Sequence, residues 1–181
     1  MHSELTSEEY EVYSCVLQHK YWKRGRELVI GSRVMKLNRI LYDRLFTLHQ
    51  SIEWWQKEFP GLLAETAVDL LSFKKSNGVL TPKLNVSAPY LILSDEQRID
   101  RKNKQISGDE RSDGWKEFHE EHPSAGSLIV LSRAGFDGGK TQALVAVTDV
   151  VGGLAAGCRL WFLNKQDSKW NLIGDVLLWI S

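Results

Sequence analysis

The sequence predicts an α+β fold, in which N-terminal helices pack on a curved antiparallel sheet of about five or six strands. Two observations predict it. Apolar residues recur at helical spacing through much of the chain between residues 7 and 73. From residue 127 onward, four strand-like runs are joined by short turns or by a glycine-rich loop, which predicts a four-stranded meander. The 181 residues suffice for one domain, 1–181, with a substantial core.

The first helix is predicted over about residues 7 to 21. Thr6 and Glu9 have the spacing of a capping box, in which each side chain bonds the backbone N–H of the other residue. Tyr10, Tyr13, Leu17 and Tyr21 then recur at helical spacing. A short strand is predicted to follow at 27–34.

Two more helices are predicted, one from Asn38 to Trp55 and one over 62–73, separated by Pro60-Gly61. Residues 83–93 predict a strand. The segment at about 95–113 is highly charged and contains no aromatic residue. It is therefore expected to be a mobile loop within the single domain.

The C-terminal meander is predicted from the runs Ser127–Phe136, Thr141–Val150, Cys158–Lys165 and Lys169–Ile180. In the second run, Ala143, Val145 and Val147 share one face, and Leu144 and Ala146 share the other. A sheet with one solvated face alternates apolar and polar residues. We therefore expect helices on one face of this sheet. The other face would be covered by strand curvature, by the third helix or by a second copy of the chain.

The same third of the chain carries a series of motifs. They are Gly114-Trp-Lys-Glu-Phe118, Leu131-Ser-Arg-Ala-Gly-Phe136, Thr141-Gln-Ala-Leu-Val145, Trp170 and Trp179-Ile-Ser181. The series resembles a group of bacterial hypothetical proteins with no established function, so the resemblance implies no catalytic residue. That group commonly has paired cysteines in the glycine-rich loop, where this chain has only Cys158.

The last hairpin, with Trp170, also resembles the end of nuclear-transport-factor-2-like or cystatin-like domains. Those domains wrap a curved antiparallel sheet around a helix. The likeness concerns the fold, and such folds host many unrelated functions.

Composition narrows the classes of partner. Lys+Arg and Asp+Glu are equal at 23 each, so no net charge draws the chain to nucleic acid or to an anionic membrane. No apolar run is long enough for a membrane span. The polar N-terminus is unlike a signal peptide, so we expect a cytoplasmic protein, with a removed leader as the open alternative. Cys15 and Cys158 form no CxxC motif and are expected to be reduced core residues.

The segment Ala134–Thr141 looks like a phosphate-binding loop but fails the pattern. Only three residues separate Gly135 from the Gly-Lys-Thr, where four are required. A strand-like run follows instead of the helix that would hold phosphate. Asp137–Lys140 is therefore interpreted as a hairpin turn.

Two histidines near one helix end, His119 and His122, flank two glutamates. They share a helix face and could chelate a metal, but the order is not HExxH and Pro123 follows at once. We therefore predict a solvated helix end, no metal and no other cofactor. Ser132, His119 and Asp113 could be combined into a triad, but no nucleophile-elbow motif supports it, and no catalytic residue is assigned.

Ser132-Arg133 interrupts an apolar strand, and Gln142 on the neighbouring strand could face the same side. Arg presents a fork suited to a carboxylate or a phosphate, although an internal salt bridge would also explain it. Ser132, Arg133, Gln142 and Trp161 are the candidate ligand-binding residues.

The seven tryptophans and the two-sided apolar strands favour a non-enzymatic binding or protein-interaction module that self-associates. Trp161 and Trp179 are the candidate interface residues. The alternative is a small-molecule pocket enzyme of the nuclear-transport-factor-2-like type, or an inactive relative. Its site would lie in the concavity of the sheet near Arg133, Gln142 and Trp161.

Overall fold

The computed structural model describes residues 4–21, 26–35, 52–72, 78–94, 114–152 and 155–181. Within these ranges the elements are α1 (Ser7–Tyr21), β1 (Leu28–Gly31), α2 (Ile52–Glu58), α3 (Ala64–Ser72), β2 (Tyr90–Leu93), α4 (Gly114–Glu121), β3 (Leu128–Leu131), β4 (Gly135–Phe136), β5 (Gln142–Val150), β6 (Ala156–Gln166) and β7 (Lys169–Ile180). The α+β class is confirmed. The predicted loop at 95–113 and most of the helix predicted from Asn38 lie outside the described residues.

Seven strands form one mixed sheet in the order β2-β1-β3-β5-β6-β7, and β4 also pairs with β5. The strands β3 to β7 pair antiparallel, which agrees with the predicted meander. The first predicted run is two strands, because the chain leaves the ladder between Leu131 and Gly135. The sheet is not wholly antiparallel, since β1 pairs parallel with both β2 and β3.

The boundaries of α1 are set by the predicted capping box. Glu9 N donates to Thr6 Oγ1 (3.3 Å), and Thr6 N donates to Glu9 Oε2 (2.9 Å). These bonds satisfy two backbone donors that a helix start would otherwise leave without partners. The helix spans Ser7–Tyr21, as the sequence predicts.

Helices cover both faces of the sheet. The buried side of α1, which includes Tyr13, Val16 and Leu17, packs with Val145 and other residues on one face of the sheet. The opposite face is covered by α2 and α3. The buried residues of these two helices and of the connection between them pack against the other side of β5 and β6: Trp55, Phe59, Leu62, Ala67, Leu70 and Leu71. Phe118 of α4 packs on Val29 at the β1–β2 end.

The turn that looks like a phosphate-binding loop is a hairpin turn between β4 and β5. Lys140 N donates to Asp137 O (3.0 Å), and Lys140 has a positive φ of 52°. The buried Asp137 carboxylate accepts from the backbone N–H groups of Gly139 (3.2 Å) and Thr141 (2.7 Å). The hairpin interpretation is confirmed, and these amides bond an internal carboxylate. The absence of nucleotide binding stays a prediction.

None of the helices in the described ranges is long and apolar enough to cross a membrane.

Gly135 allows α3 to approach the sheet closely. A Cβ atom on Gly135 would lie 2.6 Å from Leu70 Cα, which is backbone that cannot rotate away. We therefore expect Gly135→Ala to lower the free energy of unfolding by about 1–3 kcal/mol, the usual cost of overpacking a core. The free energy is measured by urea denaturation. The matched control is Gly174→Ala in β7, where nothing lies within 4 Å of the added atom. Equal losses in the two variants would contradict the prediction.

The two cysteines are free, and they lie on different elements: Cys15 on α1 and Cys158 on β6. Burial raises the pKa of the Cys158 thiol to about 11, against the effect of a hydrogen bond with Thr148. Burial also raises the pKa of the Cys15 thiol, whose Sγ donates to Trp170 O (3.3 Å). A raised pKa leaves little reactive thiolate.

We therefore expect both thiols of the native protein to react slowly with a disulfide reagent at about pH 8. Unfolding without reductant should expose two thiols per chain, which absorbance counts directly. Cys15→Ser assigns the two rates. A thiol that reacts as fast as free cysteine, or no thiol after unfolding, would contradict the burial argument.

Candidate interaction surface

The outer edge of β7 is open over the part of the chain that the structure describes. β7 pairs only with β6, and within these ranges no strand lies on its other side. Two register shifts divide the β6–β7 ladder, one between Cys158 and Arg159 and one between Phe162 and Leu163. The ladder between them pairs β7 residues 174–177 without interruption.

An apolar surface lies beside the C-terminal half of this edge. Val151, Leu177 and Ile180, here called the C-terminal patch, are 46%, 43% and 73% exposed. All three line a hollow of about 280 Å³ between the end of β5, the start of β6 and the end of β7. Large apolar side chains that cluster on a surface mark interaction sites more often than single ones do.

The C-terminal patch is exposed because α1 does not reach it. The last two residues of α1, Lys20 and Tyr21, bond the Asp149 carboxylate near the end of β5. Beyond Asp149, the described residues include no helix on this face of the sheet. The register shift between Cys158 and Arg159 leaves Ile180 opposite Gly157, which offers no side chain to cover it.

An ion pair borders the patch. Arg159 and Asp175 lie on neighbouring strands and bond through their side chains. The C-terminal half of β7 and the residue after it, from Gly174 to Ser181, contain no basic residue and no proline. Lysine and proline are the usual residues that keep an open strand edge from pairing with another chain.

The sequence-predicted Ser132 and Arg133 take part in internal bonds. Ser132 Oγ accepts from Ala146 N (2.9 Å) and donates to Arg133 O (2.7 Å). Arg133 NH2 donates to Glu9 Oε2 (2.9 Å), and its Nε donates to Glu9 Oε1, so the fork binds one carboxylate at two points. This is the internal salt bridge that the sequence left open as an explanation. A ligand role for the two residues stays a prediction.

Gln142 lies on the other face of the sheet from Arg133. Its amide donates to Gly61 O (2.8 Å) and accepts from Leu63 N (2.8 Å), so it joins β5 to the α2–α3 connection. Because Arg133 bonds α1 on the opposite face, the structure does not bring the two together.

The two candidate interface tryptophans differ in position. Trp161 is 5% exposed and belongs to the core beneath α1. Trp179 is half-buried, packs against the core beneath α2 and α3, and is adjacent to Ile180. Their use in an interface stays a prediction. Trp170 is buried in the core beneath α1.

The predicted solvated helix end is wrong for His122. Its ring is buried against Phe118, with 5.3 Å between ring centroids, and its Nδ1 lies 3.4 Å from Glu27 Oε2. His119 is exposed, as expected. The chain returns after Pro123 to begin β3, and that return covers His122. Asp113, the third member of the triad considered above, lies outside the described residues. No group of three His, Cys, Asp or Glu side chains in the described ranges could hold a metal.

Sequence reasoning missed Val151, Leu177 and Ile180 because it weighed the tryptophans first. A signal was present: the alternation in Lys169–Ile180 is apolar on both sides after Gly174. The sequence did not show that a register shift would turn Ile180 to the uncovered face.

Searches with the chain found no matching protein-family model, no matching curated protein and no matching solved structure.

The Glu9–Arg133 pair predicts a large stability effect. Glu9 is 1% exposed, and removing its charge weakens both charge-assisted bonds that the Arg133 guanidinium makes with it. We expect Glu9→Gln to lower the free energy of unfolding by about 3–5 kcal/mol, as for other broken buried pairs. Denaturant unfolding at neutral pH measures it.

The control is Glu4→Gln, which removes the acid of the exposed Lys83–Glu4 bridge and should cost less than about 1 kcal/mol. Similar values for the two variants would show that the Glu9 pair contributes no more than a surface bridge.

Proposed function

We propose that this protein is a self-associating interaction module, in which the C-terminal half of β7 pairs with the same segment of a second copy. The observation that carries the proposal is the open edge of β7 beside the exposed C-terminal patch. A strand edge offers a row of backbone donors and acceptors, and the neighbouring apolar side chains gain by leaving water.

The length of the edge supports pairing. β7 has 12 residues, which at about 3.4 Å per residue make an edge of roughly 40 Å. The register shifts twist the strand where they occur, so the uninterrupted part at 174–177 is the best template. The only charge in that part is Asp175, and Arg159 already neutralises it.

A second copy of the chain is the partner that fits this edge. Two identical strands that pair antiparallel about a two-fold axis place each donor opposite an acceptor, because the pattern is its own complement. An axis through the middle of residues 174–177 keeps Leu177 of both copies on the same face of the joined sheet, because it reverses the strand without turning the sheet over. The two exposed Leu177 side chains then lie beside the two-fold axis, roughly 10 Å apart along the strands.

The alternative of a pocket enzyme near Arg133, Gln142 and Trp161 has less support. Arg133 is held by Glu9, Gln142 is on the other face of the sheet, and Trp161 is core. A ligand there would have to displace internal bonds.

The test is the oligomeric state of charge-introducing variants. We expect the wild-type chain to sediment as a dimer at about 10 μM. Leu177→Lys and Ile180→Lys should sediment as monomers, because each places a lysine on the strand that pairs, which is how natural proteins keep an open strand edge from pairing. Both side chains are exposed in one copy, so circular dichroism and the melting temperature should show a folded protein.

The matched control is Val68→Lys, which changes a side chain that is 51% exposed on α3, the helix that lies against β4 and β5. It should remain dimeric. Trp179→Ala tests the sequence-based expectation that Trp179 belongs to the interface. A monomeric variant with unchanged stability would place Trp179 there. A wild-type monomer at this concentration, or dimers in both lysine variants, would overturn the proposal.

A further inference from the structure

We propose that a cleft at the end of α1 is a binding site for a small organic anion, whose carboxylate or phosphate group binds Arg26. The cleft has a volume of about 390 Å³, within the usual range for small-molecule sites. It lies where α1 ends, β1 and β3 begin and β5 ends. The inference does not depend on self-association through β7.

The polar floor of the cleft is built around Asp149. Its carboxylate accepts hydrogen bonds from Lys20 Nζ, from the Tyr21 hydroxyl and from Ser127 Oγ, the last at 3.2 Å. Lys20 Nζ also lies 5.1 Å from the centroid of the Tyr21 ring and 5.7 Å from that of Trp161. These contacts hold the ammonium and the carboxylate together as a neutral, positioned pair.

Burial and the nearby Asp149 carboxylate raise the pKa of the Tyr21 hydroxyl well above its usual value. Tyr21 therefore remains a hydrogen-bond donor at neutral pH. The Tyr21 hydroxyl and Ser127 Oγ both donate to Asp149, so the donors that the floor offers to a ligand hydroxyl are the remaining N–H groups of the Lys20 ammonium.

Arg26 supplies a guanidinium to the lining of the cleft. Of the other charged residues there, Lys20 is paired with Asp149, and the Glu27 carboxylate is directed toward His122, with 3.4 Å between Oε2 and Nδ1. The exposed Arg26 side chain has no hydrogen-bond acceptor among the described residues. Its guanidinium presents a planar fork of donors that fits a carboxylate or a phosphate.

Gly126 lets the guanidinium lie at the mouth of the cleft. A Cβ atom on Gly126 would be 2.9 Å from Arg26 Nη1, closer than such atoms approach in practice. A side chain at this position would push the guanidinium away from Ser127 and the floor. The apolar wall opposite, which includes Leu28, Ile129 and Val151, suits the carbon skeleton of a small ligand.

The experiment uses four probes: acetate, glycerate, inorganic phosphate and glycerol 3-phosphate, with glycerol as the uncharged control. Titrations followed by two-dimensional NMR should show saturable shifts of the Gly126 and Ser127 amide signals. Glycerate should bind more tightly than acetate, and glycerol 3-phosphate more tightly than phosphate, because their hydroxyl groups reach the floor. Comparison of the two carboxylate probes with the two phosphate probes distinguishes a carboxylate site from a phosphate site.

Arg26→Gln should weaken binding of the anionic probes about tenfold or more, the usual effect of losing a hydrogen bond from a charged group. Gly126→Ala should also weaken binding of the anionic probes, since this substitution keeps the Arg26 charge but displaces the guanidinium. Lys83→Gln removes an equal charge from the exposed pair with Glu4. It should leave the binding of the anionic probes unchanged.

Three results would overturn the site. One is the absence of saturable shifts with every probe up to about 10 mM. Another is equal binding by wild type and Arg26→Gln. The third is equal weakening in Arg26→Gln and Lys83→Gln, which would show attraction to net charge alone.

Discussion

The whole architecture depends on the burial of β5 and β6 on both faces. Six consecutive residues of β5, from 143 to 148, are buried, and they alternate between the core beneath α1 and the core beneath α2 and α3. A strand of this kind is stable only between two layers. The helices from the first half of the chain therefore have to lie on opposite sides of strands from the last third. β7 is the place where this double cover ends, which is why Leu177 and Ile180 are exposed there.

The Glu9 carboxylate joins the two ends of this arrangement. It accepts from Thr6 N at the start of α1 and from Arg133 at the break between β3 and β4. One buried charge thus fixes the first turn of a helix and the point where a strand leaves the sheet. Replacement of both partners by apolar residues could be tolerated, because buried ion pairs contribute more to a defined geometry than to stability in some proteins.

Local signals explain which elements could be predicted. The capping box marks the start of α1 and the aromatic repeat follows its length. The short turn between the last two runs predicted the β6–β7 hairpin, whose turn residues Asp167 and Ser168 both have positive φ. The parallel pairing of β1 with β2 and β3 carries no such signal, since residues far apart in sequence make it. An apolar run such as Leu-Val-Ile does not indicate which strand will be its neighbour in the sheet.

The candidate sites were less predictable for the same reason. Asp149 bonds Lys20 and Tyr21 across more than a hundred residues, so nothing near any of the three marks the cluster. Arg133 was singled out as a charge in an apolar run; it lies at the break between β3 and β4, and its partner could not be chosen from the many acidic residues. The register shifts in β7 also leave no local signal, and they decide whether Ile180 faces a helix or solvent.

The position of β1 between β2 and β3 also has a consequence for how the chain reaches this fold. The hairpins from β5 to β7 join neighbouring segments and close short loops, whereas β1 must find β3 about a hundred residues later in the chain. Closing such a loop costs more entropy, so pairings of this type slow folding. Until β1 arrives, β3 is itself an open edge. During synthesis on the ribosome, the N-terminal half therefore emerges with its apolar strand and helices unmatched, and the sheet is completed only after the last strands have left the exit tunnel.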